Sequence, residues 1–328
     1  MKNLITVSIL FVIIFLFWGC KKNSETTLVT GTIPVVVTGN SSNLLLYTVD
    51  FTGNVTSDGG SAITRRGFCA SSSNKNPTIT DDTVISGNGT GSYSGTVKGL
   101  KGQTTYYVRS YATNAAGTGY GNTDTIKTID STLTDIDNNH YRLVQIGSQV
   151  WMEENLRVLH YLNGDAIPNV TDNTQWSALN TGAYCWYNND ATTYSSTYGA
   201  LYNWYAVSDT RTLAPAGYHV PSDAEWTDLT NFLGGLSVAG GKLKETGISH
   251  WQSPNTGATN ETGFTALPGG YRYFTGIFGV ITVTGNWWSE TEGDATYAWY
   301  YDLNYDKSSI DRSGNYTQGG FSVRCIRN

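Results

Sequence analysis

The residues whose types and spacing could carry chemistry concentrate near the C-terminus, above all in Asn286-Trp287-Trp288-Ser289-Glu290. Flat aromatic faces beside amides and a carboxylate suit a sugar, whose ring stacks while its hydroxyls hydrogen-bond. Tyr271 and Tyr273 precede this stretch, and Trp299 and Tyr301 follow it. Trp287, Trp288, Glu290, Tyr271 and Tyr273 are therefore the candidate ligand-binding residues. At least half of these aromatic residues must fill a core, because a chain with few long helices needs them there.

Other chemistry is poorly supported. Glu290, Glu292 and Asp294 could serve a glycosidase or calcium, but Gly293 and its polar flanks read more simply as a solvated turn. Asp302, Asn304, Asp306 and Asp311 supply oxygens that leave calcium open, without EF-hand spacing. His140, His160, His219 and His250 stand far apart, and none forms a His-x-x-x-His pair for zinc. No nucleophile–base pair can be picked out, so no catalytic residue is assigned. With 20 Lys and Arg against 26 Asp and Glu, the chain lacks the basic patch that nucleic acid demands.

The elements that must position these residues are short. Charged residues are sparse, and Gly, Thr, Asn, Ser, Tyr and Trp are plentiful, which favours many short strands over long helices. Residues 31–128 alternate through Ile33–Val37, Leu44–Val49, Ile63–Ala70, Gly91–Val97 and Thr104–Thr113, and predict an antiparallel sandwich with Phe68, Tyr106, Val108 and Tyr111 in its core. Cys69 is single there and reads as a buried, inert thiol. Residues 129–134 read as a linker and 135–328 as a second domain, opened by a hairpin around Gly147-Ser148.

Two helices are expected in the second domain. One runs over Tyr198–Val207; the other begins at Ser222, where Ser222-Asp223-Ala224-Glu225 forms a capping box and Gly234-Gly235 a stop. Capping accounts for Asp223 and Glu225 without any catalytic acid pair. The end, Phe321–Arg327, predicts a closing strand with Phe321, Val323 and Cys325 inward and Ser322, Arg324 and Arg327 facing solvent.

At the other terminus, Leu4–Trp18 is too short to span a bilayer as a helix but suits the core of a signal peptide, followed by Gly19-Cys20-Lys21-Lys22. This resembles a bacterial lipoprotein cleavage site. It implies a signal peptide over 1–19, a lipidated Cys20, a polar tether over 20–30 and attachment to the outer membrane of a cell envelope. An uncleaved anchor is the alternative, and export follows from either. An exported chain meets an oxidising compartment, where Cys185 and Cys325 are expected to form a disulfide; two buried thiols, or a redox or metal pair, are the alternatives.

Two resemblances organise the chain. Leu100–Gly117, with its Tyr106-x-Val108-x-x-Tyr111-Ala112 strand and Asn114-x-x-Gly117 ending, resembles a fibronectin type III repeat, which implies a spacer or interaction module. Ile146–Leu156, Tyr198–Trp204, Ala216–Ser222, Thr262–Arg272 and Gly320–Cys325 together resemble the Fibrobacter succinogenes major paralogous domain over residues 135–328. The order of hairpin, helices and Trp- and Gly-rich strands is also similar to the C-type lectin fold and its formylglycine-generating branch. That branch uses two active cysteines, which a Cys185–Cys325 disulfide would remove.

The expected protein is thus multi-domain: an all-β fibronectin type III-like sandwich, then an α+β C-type-lectin-like domain with two short helices and many short antiparallel strands. Its second domain is expected to bind a glycan, protein or surface polymer at the cell surface. A cell-envelope hydrolase or modifying enzyme, and a purely structural surface paralogue, are the competing classes.

Overall fold

A computed structural model describes residues 31–328. The expected signal peptide over 1–19, Cys20 and the expected tether over 20–30 lie outside the described residues. Among the described residues, no helix is long and apolar enough to cross a membrane.

Residues 35–127 form two antiparallel sheets. One orders Val35–Ser42, Thr48–Ser57 and Gly91–Lys98; the other is built on Thr105–Asn114, paired with Arg65–Ser71, Gly117–Tyr120 and Asp124–Lys127. Alternation turns Val49, Phe51, Val55 and Val97 of the first sheet onto Phe68, Ala70, Tyr106 and Val108 of the second. Phe68 lies between Phe51 and Tyr93, with centroids 5.9 and 5.2 Å away. Cys69 is buried, and burial pushes its thiol up to about 12, which keeps it protonated and inert.

The expected linker is not a linker. Thr132–Thr134 is a strand that pairs with His140–Ile146, and Leu133 joins the second domain's core. The Asp135 carboxylate closes the turn between them by accepting from the backbone of Asp137 and Asn139 and from the Tyr141 hydroxyl. The sheet continues through Gln149–Met152, Ile326–Arg327 and Tyr218–His219, so the chain's end closes the fold beside its opening hairpin.

The capped helix covers Asp223–Phe232, with both hydrogen bonds of the capping box formed. Trp226, Leu229 and Leu233 are buried, whereas Phe232 points outward. Two expectations need correction. Tyr198–Val207 is no continuous helix: a helix ends at Tyr198, Leu201–Tyr202 pairs with Tyr184–Cys185, and only Trp204–Val207 is helical again. Tyr202 also exchanges hydrogen bonds with Phe321, and Asn203 caps the last turn, so tertiary pairing overrides local periodicity. After the Gly234-Gly235 stop a further helix, Leu236–Leu243, packs so closely that a Cβ on Gly240 would stand 2.1 Å from the Ser309 carbonyl oxygen.

Ser322 and Arg324 also depart from expectation, for both are buried with their apolar neighbours. The final strand lies between two cores, one containing Val323 and Cys325 and the other Ile326 with Trp151, Trp226 and Trp287, so it has no wet face. The Arg324 guanidinium donates to Asn155 Oδ1 at 2.9 Å and to the carbonyls of Phe264 and Thr265, and stacks over Phe264.

The sandwich is docked onto the second domain. Leu46, on the turn between its first two strands, is fully buried in the second domain's main core. Gln145 accepts from the Tyr47 backbone at 3.1 Å and donates to Thr48 Oγ1, and Arg327 donates to the Leu44 carbonyl at 3.0 Å.

Lys244 is the third fully buried cation of the second domain, after Arg272 and Arg324. Its ammonium donates to the carbonyls of Thr256, Asn304 and Lys307 at 3.0, 2.9 and 2.7 Å. Lys244→Met keeps the apolar stem but orphans those carbonyls. It is expected to cost about 3–5 kcal/mol, read as a lower urea midpoint at unchanged slope.

Candidate functional site

The C-terminal strands Thr284–Glu292, Tyr297–Asn304 and Ile310–Tyr316 form an antiparallel sheet whose register fixes what each face presents. Because side chains alternate, adjacent Trp287 and Trp288 point to opposite faces. Trp287 enters the core beside Tyr301 and Leu303 and donates its indole N–H to Asn155 Oδ1 at 2.9 Å. Trp288 lies against Phe321, 4.5 Å between centroids, and donates to the Tyr202 carbonyl at 2.8 Å. With 1% and 0% of their surfaces exposed, neither can offer a face to a ligand. Their indole donors also serve the fold, which corrects their expected role.

Next to Trp288, the same sheet face becomes polar. Asn286 stands opposite Asp302, and Asp302 opposite Asp311. Asn286 and Asp302 of this rung, with Asn304 and Asn315, line an open pocket of about 370 Å³. Its walls are Tyr271, Tyr273, Tyr300 and Phe321, with Val280 and Val283 at one side. Tyr271 and Tyr273 thus reach a shared pocket as expected, and the Tyr271 hydroxyl donates to that of Tyr273 at 2.6 Å. They flank Arg272, whose side chain turns inward and donates to the carbonyls of Val170, Thr171 and Gly276. Extended backbone thereby places the tyrosines on the other side.

Asp302 is the most perturbed carboxyl of the pocket. Burial first, and the negative charge of Asp311 second, push it up to about 6, against Lys307 and an Asn304 hydrogen bond of 2.9 Å. It was noticed in the sequence only as a calcium oxygen, and Tyr300 was missed. The alternation of Tyr300, Asp302 and Asn304 along one strand was the available signal.

Glu290 belongs elsewhere. It faces a separate cleft of about 390 Å³ with Asp209, His219 and Val220. Burial first, and more weakly the neighbouring Glu225, raise its pKa above the ordinary carboxylate value, opposed by His219. His219 hydrogen-bonds Asn328 Oδ1 at 2.7 Å through Nδ1 and Glu225 Oε1 at 2.8 Å through Nε2, so both ring nitrogens are occupied. Asp294 accepts from the backbone of Thr296 and Tyr297, as a turn residue does. Among the described residues, no group of three His, Cys, Asp or Glu side chains could hold a metal ion.

Residues 144–327 match the family described as the Fibrobacter succinogenes major domain. The chain belongs to this family. The match covers the hairpin, the capped helix, the pocket and the closing strand. No curated protein matches the chain. Among solved structures it is similar to the sensor domain of the anti-sigma factor RsgI4 in Pseudobacteroides cellulosolvens, at 17% identity and TM-score 0.23 over 30% of this chain and 76% of that one. It is also similar to a fibronectin type III domain of the human KIAA0970 protein, at 17% identity and TM-score 0.23 over 34% and 82%. A further human fibronectin type III domain gives 13% identity and TM-score 0.24 over 33% and 92%.

Within the major domain, the expected disulfide is absent: Cys185 and Cys325 are free and buried. Cys185 packs with Trp176, Tyr187 and Leu201, whereas Cys325 packs in the main core, where its backbone N–H meets Met152 Sδ. The two thiols thus face different cores. Burial pushes Cys185 up to about 12 and Cys325 higher still, so neither is a thiolate at neutral pH.

Two measurements check this geometry. A reducing agent should leave the melting temperature unchanged, and both major-domain thiols should react with a thiol reagent only after denaturation. For Asp302, the folded value lies above the ordinary 3.8, so the folded state holds its proton more tightly. The stability this contributes is present below pH 3.8 and lost as pH rises through about 6. Asp302→Asn is therefore expected to stabilise the protein by roughly 2 kcal/mol at pH 7.5 and hardly at all at pH 4, in paired denaturation curves.

Proposed function

We propose that this is an exported, lipid-anchored protein of the cell envelope, held at the outer membrane through Cys20, whose lectin-like major domain binds a glycan. The observation that supports binding most directly is the open pocket lined by Asn286, Asp302 and Asn304 and by the rings of Tyr271, Tyr273 and Tyr300. Apolar ring faces beside a few fixed amides and a carboxylate are what a saccharide needs. The fibronectin type III-like sandwich serves as a spacer docked onto this domain, since none of its residues lines the pocket.

Recognition is favoured over turnover by the state of the one imidazole near a carboxylate-lined cleft. His219 spends both nitrogens on Asn328 and Glu225, and Glu225 also caps the helix, which leaves this imidazole no free nitrogen to act as a base toward Glu290.

The test is a glycan and cell-wall polymer screen on the full-length chain, with and without calcium, followed by product analysis. Binding without product is expected. Tyr273 is 44% exposed, so Tyr273→Ala should weaken binding about tenfold at an unchanged melting temperature. Binding indifferent to Tyr273→Ala would move the site elsewhere, and product formation would replace a lectin with an enzyme.

A further inference from the structure

The protein lays its own cations over several of its aromatic rings. Arg157 lies over Tyr141 at 4.7 Å, Arg211 over Tyr161 at 4.1 Å, Arg312 over Trp299 at 3.4 Å and Arg324 over Phe264 at 4.1 Å. Among the described residues, no Lys or Arg lies over Tyr271, Tyr273 or Tyr300, the rings that wall the pocket.

The pocket's carboxylate is uncompensated in the same way. Asp302 forms no ion pair among the described residues; the nearby Lys307 ammonium is engaged by Asp311 at 3.0 Å. The Asn304 amide gives Asp302 a single hydrogen bond. On the facing rung, Asn286 is 4% exposed. Its Nδ2 donates weakly to the Gly270 carbonyl at 3.4 Å, and its Oδ1 accepts no hydrogen bond among the described residues. A 96%-buried side chain with an unused acceptor therefore lines the cavity.

These vacancies share one complement. An anionic ligand would be repelled by Asp302 and Asp311, and a neutral one would leave the desolvated charge of Asp302 unanswered. A protonated amine satisfies all three features: it compensates Asp302, donates to Asn286 Oδ1 and rests against tyrosine faces, whose quadrupoles attract cations. We infer that the pocket selects saccharides carrying a free, protonated amine, with Asp302 as counter-ion, Asn286 as second acceptor and Tyr271 and Tyr273 as walls. This ligand class rests on the glycan reading of the same pocket.

The experiment is calorimetric titration of the full-length chain with three hexasaccharides: β-1,4-linked glucosamine, its N-acetylated counterpart and cellohexaose. The glucosamine oligomer should bind at least about tenfold more tightly than the other two. Asp302→Asn should reduce that ratio to about one. Glu292→Gln removes one exposed charge outside the pocket and should leave the ratio unchanged, which controls for general attraction to an acidic protein. Equal binding of all three sugars by the unaltered chain, or a preference that survives Asp302→Asn, would overturn the amine selectivity and leave glycan binding standing. Failure of all three sugars to bind, with the protein folded by its melting curve, would overturn both.

Discussion

The constraint on which the major domain depends is the satisfaction of backbone carbonyls in long segments without regular structure. Arg324, Arg272 and Lys244 meet it, each at most 1% exposed and each donating mainly to main-chain oxygens. Arg324 gathers Phe264 and Thr265, Arg272 gathers Val170, Thr171 and Gly276, and Lys244 gathers Thr256, Asn304 and Lys307. Buried carbonyls without partners would each cost on the order of 1–3 kcal/mol. One cation with several donors satisfies several of them together. None of the three forms an ion pair among the described residues; the cost of burying their charge is offset by carbonyl dipoles and by the rings of Phe264, Trp176 and Trp251 beneath them.

This scaffold and the pocket are built from the same residues. Arg272 exchanges backbone hydrogen bonds of 2.8 Å with Gly320 on one side and fixes the 273–277 turn on the other. The tyrosines on either side of it are held by an arginine that never reaches the pocket. Lys244 likewise binds the carbonyl of Asn304, whose side chain orients Asp302. The rings that wall the pocket and the charges that meet carbonyls are thus coupled through adjacent positions along the chain.

That coupling explains what was legible in the sequence. Alternation identified most of the sandwich strands, and Ser222-Asp223-Ala224-Glu225 identified a helix start, because these are local signals with local causes; Leu44–Val49 proved mostly a turn before Thr48–Ser57, and of Phe321–Arg327 only Ile326–Arg327 is strand. Arg324 was misread because period-two alternation assumes one wet face, while two cores enclose this strand. The Leu201–Tyr202 strand was hidden inside a helical spacing because its partners, Tyr184 and Phe321, are remote in sequence. Within the candidate site, Tyr271 and Tyr273 were legible as aromatic residues beside a Gly-Gly turn. Trp287 and Trp288 were misassigned because a dipeptide on a strand with two buried faces has no outward member. The disulfide inference failed on the same ground, since sequence does not say that Cys185 and Cys325 face different cores.

The docking of the sandwich adds a mechanical consequence. Leu46 is part of the major domain's core, and Gln145 and Arg327 hydrogen-bond the turn that carries it. Arg327, on the closing strand Ile326–Arg327, stands three residues beyond Arg324, whose guanidinium secures Phe264 and Thr265. A flexible tether would let a ligand-binding domain reorient freely, whereas a turn inserted into the core transmits orientation from sandwich to pocket. The sandwich is therefore better described as a rigid mount than as a passive stalk.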